Sequence, residues 1–184
     1  MKDLEEQLKA NQNARLKLIV TDGVFSMDGD IAPLDKIYEI AQKYGAQIYV
    51  DECHAAGFIG KTGKGTPELF GLHGKIDFIS STLGKSMGGA SGGFVTGSKE
   101  AVDVLKNKAR TYLFSNSIAP AIVGASLEAY KMLSESQELV NNLKRNTKLF
   151  RTEMKAAGFK ISGHDECPIA PVWLGDARIA TKMS

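Results

Sequence analysis

Apolar residues recur along this chain in two periods, and the switch between them outlines an alternating fold. Leu4 and Leu8 stand four apart among charged residues and predict a short amphipathic helix at the start. Residues 16–21 (LKLIVT) then form a β-rich run that Asp22-Gly23 ends. Pro33 suits the first turn of a helix. Leu34, Ile37, Ile40 and Ala41 follow at helical spacing, closed by Tyr44-Gly45. Three short strands are predicted next, at 47–50, 76–81 and 94–96. Residues 119–157 carry one long helical pattern with a break near 134–136, and Gly158 suits its end. Two further strands, 159–161 and 169–174, precede a helix opened by Asp176.

Strands alternating with helices predict an α/β fold with a mostly parallel sheet. The reading divides the chain at 133/134, with a larger unit first and the beginning of a smaller α+β unit after it. Ligands of such sheets sit beyond the carboxyl ends of the strands. Three polar clusters directly follow strands here: Asp22–Ser26, Asp51–His54 and Thr82–Lys85. They predict one site on one rim.

Composition narrows the classes of function. With 184 residues, 23 basic and 21 acidic, the chain lacks the basic excess of a protein that grips nucleic acid by bulk charge. Two cysteines make neither a disulfide framework nor a CxxC zinc pair, which favours a reducing compartment. No apolar run approaches the roughly 20 residues that span a bilayer. Asp3, Glu5 and Glu6 make the first residues unlike a targeting peptide, so the chain is expected to open inside structure.

Within the rim, Lys85 follows a strand amid hydroxyls and glycines (SSTLGKSMGG), where partial desolvation would turn it into a nucleophilic amine. A solvated loop lysine is the plainer alternative. Asp51 ends an apolar strand, where a carboxylate needs a partner; capping of the strand end is its plainer reading. A strand-end Lys and Asp together suit pyridoxal phosphate, with the lysine as Schiff base and the carboxylate against the pyridinium nitrogen. Competing motifs fail on spacing. Gly84-Lys85-Ser86 lacks the P-loop glycine, since Ile79 stands there, and Gly60-Lys61-Thr62 has Ala55 in that place. Gly89-Ala90-Ser91-Gly92-Gly93 matches G-x-S-x-G, but a strand follows it where a nucleophile elbow needs a helix. Adjacent residues 51–54 point in different directions and make a poor metal site, and His73 and His164 fall in polar loops.

The strings TDGVFSMDGD (21–30), DECHAAGF (51–58) and TLGK (82–85) resemble the α-oxoamine synthases. These are fold-type I pyridoxal 5'-phosphate enzymes that join an amino acid to an acyl-CoA thioester. YLFSNS (112–117) and PVWLGDAR (171–178) are similar to the branch that condenses glycine with acetyl-CoA to 2-amino-3-ketobutyrate, in its animal mitochondrial form. The resemblance implies the large domain of that fold over 1–133, its cofactor-binding part, and the start of the small domain over 134–184. It implies Lys85 as the Schiff-base lysine, Asp51 at the ring nitrogen, Ser26 and His54 at the phenolic oxygen, and Thr82 at the phosphate. Ser115 and Asn116 match a segment reaching the partner's cofactor across a homodimer. Thr111 stands where the family usually has proline. The resemblance covers the middle of such an enzyme, without the segments that supply a phosphate loop, a ring-stacking histidine and a carboxylate-binding arginine. A sister synthase with another acyl-CoA or amino acid, and a non-catalytic fragment retaining part of the cofactor site or a dimerisation surface, are the alternatives.

Overall fold

The computed structural model describes residues 1–88 and 91–184. Helix α1 (Lys2–Ala10) leads into β1 (Leu18–Asp22), α2 (Leu34–Tyr44), β2 (Gln47–Asp51), the one-turn helix α3 (Thr66–Leu69) and β3 (Phe78–Thr82). Then come β4 (Gly93–Gly97), α4 (Lys99–Lys108), α5 (Arg110–Leu113), α6 (Pro120–Glu135) and α7 (Glu138–Ala156). A small hairpin of β5 (Lys160–Ile161) and β6 (Val172–Trp173) precedes α8 (Ala177–Met183).

The main sheet runs β1-β2-β3-β4. Its first three strands are parallel, as the alternating pattern predicts, and β4 joins antiparallel to β3. The ends of β1 and β2 coincide, Asp22 opposite Asp51, and Asp51 lies opposite Ser80, two residues before β3 ends at Thr82. All three polar clusters therefore leave the sheet at one rim.

The core lies on one face. Leu8, Leu34, Ile37 and Ala41 from α1 and α2 pack on Ile19, Ile48 and Val50 of the strands. The opposite faces of Leu18 and Val20 are 52% and 65% exposed. Helix α2 ends as its sequence predicts. Gly45 takes the left-handed conformation (φ 59°), and the Ala46 amide donates to the Ala41 carbonyl at 2.9 Å. A second cluster of Val24, Ala55, Ile59 and Cys167 sits beneath the rim loops and ties the C-terminal segment to them.

That segment hangs on α7. The Arg151 guanidinium is 3% exposed and donates to the carbonyls of Ser162, Cys167 and Ile169 at 2.8–3.2 Å. Ile169 and Ala170 are consequently not in a strand, and the strand expected over 169–174 shrinks to Val172–Trp173. The long helical pattern breaks between Glu135 and Glu138, next to the expected position. Asp176 caps α8, accepting from the Arg178 amide at 2.7 Å. Of the G-x-S-x-G string, Gly89 and Ala90 lie outside the described residues; Gly93 opens β4, so a strand follows it.

Candidate active site

The end of β2 builds the centre of the rim. Asp51 occupies its last position, and its carboxylate accepts from the Cys53 amide and the Ser80 hydroxyl, both at 2.8 Å. Burial works against the ionised form. The Cys53 and Ser80 hydrogen bonds and the Lys85 charge outweigh it, so the carboxyl lies below its ordinary range. A half-buried carboxylate held ionised in this way is a fixed negative charge at the strand end.

Beyond Asp51 the chain turns, with the Ala55 and Ala56 amides donating to the Glu52 carbonyl at 3.0 and 2.9 Å. The turn aims His54 at the loop after β3, where Lys85 Nζ lies 2.8 Å from His54 Nε2. A lysine ammonium only donates, so Nε2 accepts and the ring carries its proton on Nδ1. Burial, together with the Lys85 charge, lowers the imidazole pKa against the opposing pull of Asp22 and Asp51. Neutral imidazole is thus the favoured form at pH 7. The two loops are clasped a second time by the Ser86 hydroxyl, which donates to the Ala56 carbonyl.

The fold therefore brings Asp51, His54 and Lys85 together at the rim. Lys85 itself is exposed, so the desolvation expected of it is not supplied by the residues around it here. Thr82 is engaged within its own loop, donating to the Gly92 carbonyl and accepting from the Gly84 amide, each at 3.1 Å. Ser26 lies exposed on the turn between Val24 and Ile31. Ser115 and Asn116 lie exposed after α5, where the Ser115 hydroxyl donates to the Thr111 carbonyl at 2.6 Å. Among the described residues no hydrogen bond joins Ser26, Ser115 or Asn116 to the Asp51–His54–Lys85 group.

Sequence reasoning missed the supports. Ser80 fixes Asp51 from the neighbouring strand, and the register alone would have revealed it. Cys53 sits beside Asp51, and burial with the Asp51 carboxylate pushes its thiol up to about 11, so it stays protonated. Glu52, the residue between them, is 2% exposed and bonded to Thr66.

The model of the family "Aminotransferase class I and II" matches residues 1–176. The chain belongs to the class I and II aminotransferase family. Among curated relatives, the mitochondrial 2-amino-3-ketobutyrate coenzyme A ligase of Mus musculus is 52% identical over 184 residues, all of this chain and 44% of that protein. The 8-amino-7-oxononanoate synthase of Thermosipho melanesiensis is 51% identical, over all of this chain and 46% of its own length. A solved serine palmitoyltransferase from S. paucimobilis with bound PLP superposes with a TM-score of 0.92 at 34% identity, covering 99% of this chain and 47% of that one. The chain thus spans a little under half the length of the curated relatives it matches, and the fold-type I architecture expected from the resemblance is present over that span.

Proposed function

We propose that this chain carries the lysine-bearing part of a pyridoxal 5'-phosphate-dependent acyltransferase that condenses glycine with acetyl-CoA to 2-amino-3-ketobutyrate and CoA. The observation that carries the reading is the 2.8 Å pairing of Lys85 with His54 beside the ionised Asp51, in a chain 52% identical to a 2-amino-3-ketobutyrate ligase. The donor set fits the cofactor. Asp51 offers a fixed negative charge for a ring nitrogen, Lys85 an amine for an aldehyde, and His54 a neutral ring whose partner is that amine.

When bound, pyridoxal phosphate supplies an aldehyde that takes up amines and a ring that withdraws electrons from an amino acid's α-carbon. The protein's share is positioning and proton handling. Asp51 keeps the proton on the ring nitrogen, which maintains the ring's pull. Lys85 is the attachment point and, once free, the base that removes the glycine α-proton. His54 holds Lys85 in place and accepts a hydrogen bond from it. In the net reaction a C–C bond forms between the glycine α-carbon and the acetyl carbonyl carbon. The thioester C–S bond breaks, and the α-proton ends on the CoA thiol.

Ser26 is assigned to the cofactor's phenolic oxygen with His54, and Thr82 to its phosphate, which requires Thr82 to leave its present loop contacts. Ser115 and Asn116 are assigned to the partner's site in a homodimer; the exposure of neighbouring Tyr112 (61%) and Phe114 (76%) supports a covered face there. Residues 1–133 form the cofactor-binding part and 134–184 the link and the start of a second unit, a division supported by the break between α6 and α7. The animal relatives named as mitochondrial support that compartment for catabolism that yields or consumes 2-amino-3-ketobutyrate, as in threonine breakdown.

The 51% identity to an 8-amino-7-oxononanoate synthase favours a second reading, a sister synthase with a different acyl-CoA. Assay with glycine and acetyl-CoA against alanine and pimeloyl-CoA separates them. CoA release with the first pair alone supports the proposal. Release with the second pair alone selects the sister. Release with neither, together with failure of added pyridoxal phosphate to develop the absorbance of a lysine adduct, leaves a non-catalytic fragment.

A further inference from the structure

Glu52 is a carboxyl that the chemistry above does not use, yet it is among the most enclosed polar side chains of the molecule, at 2% exposure. Its Oε2 accepts from the Thr66 amide at 2.7 Å, and its Oε1 bonds the Thr66 hydroxyl. Thr66 is itself fully buried at the start of α3. Two glycines make the space. A methyl group on Gly23, just after β1, would overlap Oε1, and one on Gly65 would overlap Oε2. Gly65 also has φ +93°, a conformation that side-chain-bearing residues avoid.

The backbone of the same residue serves the site. The Glu52 amide donates to the Ser80 carbonyl at 2.8 Å, and its carbonyl receives the Ala55 and Ala56 amides that form the His54 turn. The side chain on one side and the turn on the other thus share one Cα. With the carboxyl locked between Gly23, Gly65 and Thr66, the residue has little freedom to rotate. Asp51 before it and His54 after it are then held facing Lys85.

We propose that Glu52 is a positioning residue: clamped by Thr66 between Gly23 and Gly65, its carboxyl fixes the turn that sets His54 against Lys85 beside Asp51. The clamp is costly, which argues for a purpose. Burial lifts the Glu52 carboxyl to about 7 although both Thr66 bonds and their donors favour its ionised form, and the Asp51 charge adds to the rise. An apolar side chain would avoid the burial of a carboxyl but leave the buried Thr66 amide and hydroxyl unpaired, so the acid is the partner this site demands.

This role rests on the acyltransferase reading, but its test needs no cofactor. The readout is the titration of His54 by NMR in the 184-residue chain. In the unaltered protein the His54 imidazole titrates below the ordinary value of about 6.5. Glu52→Ala releases the turn, and the His54 titration is expected to rise towards about 6.5. Glu52→Gln keeps an acceptor for the Thr66 amide and a donor for its hydroxyl, and should preserve the lowered value. Thr62→Val is the control. It loosens the nearby Glu68 clamp, where the Thr62 amide and hydroxyl donate at 2.9 and 2.6 Å, so it should cost stability and leave His54 unmoved. If Glu52→Ala does not fold, Thr66→Val decides the question in the same way. An unchanged His54 titration in the folded variant, or an equal change with Thr62→Val, overturns the proposal. Failure of the unaltered chain to take up pyridoxal phosphate would count against the acyltransferase reading alone.

Discussion

Replacing Glu52 by Gln should abolish one specific part of the protein's pH dependence. The folded carboxyl lies at about 7 against an ordinary 4.5, because burial disfavours its charge more than the Thr66 bonds favour it. Between those values the folded state binds a proton that the unfolded chain has released. Stability from this group is therefore full below about pH 4.5, falls as pH rises, and is gone above about pH 7. At 1.36 kcal/mol per pH unit, the interval from 4.5 to about 7 amounts to about 3 kcal/mol. Glutamine has no proton to lose and keeps both Thr66 partners. Urea unfolding followed by circular dichroism, from about pH 4.5 to about pH 8.5, should show the two proteins close together at the acid end. The variant should pull ahead by up to about 3 kcal/mol at the alkaline end. Taking the difference cancels the titrating groups that do not interact with Glu52. Parallel curves, or a variant that loses ground as pH rises, would refute the burial argument for Glu52.

Asp51→Asn should leave the melting temperature nearly unchanged, since an amide oxygen still accepts from Cys53 or Ser80. It should weaken pyridoxal phosphate binding about tenfold or more, read by absorbance titration, from the loss of a charge-assisted bond worth about 1.5–3 kcal/mol. Arg151→Met should destabilise by about 3 kcal/mol or more in urea unfolding, because carbonyls of Ser162, Cys167 and Ile169 lose their buried donor. Alkylation of Cys53 at pH 8 should be much slower than that of an ordinary cysteine near pKa 8.5, because its thiol is pushed up to about 11; rapid labelling would contradict that environment.

The strands and their rim were legible because each is a short apolar run stopped by a polar residue, and a parallel sheet puts those stops on one side. Asp22 and Asp51 lie opposite one another at the ends of β1 and β2 for that reason. Helix α4 carried a capping signal that the periodicity hid. Ser98 accepts from the Ala101 amide, but the helix buries none of its residues, so no apolar stripe marks it. The strand expected at 76–81 starts only at Phe78, because the Asp77 carboxylate leaves the ladder's pattern to accept from the Ile48 amide at 2.8 Å. Lys85, His54 and Asp51 stood out in the sequence as candidates, whereas Glu52 did not. Its surroundings, Gly23 on one side and Gly65-Thr66 on the other, come from two separate segments that meet it only in the folded chain, and in sequence it is one acid beside another. The exposure of Lys85 was equally hidden, since a strand-end position does not specify what lies over the loop.

The central claim is that Lys85 is the amine through which the cofactor is held, and covalent trapping tests it most directly. The protein is incubated with pyridoxal phosphate, reduced with borohydride and digested, and the peptides are mapped by mass spectrometry. The account predicts one modified peptide carrying the label on Lys85, absent in Lys85→Ala and diminished in Asp51→Asn. Label on another lysine, or undiminished labelling after Lys85→Ala, would contradict it.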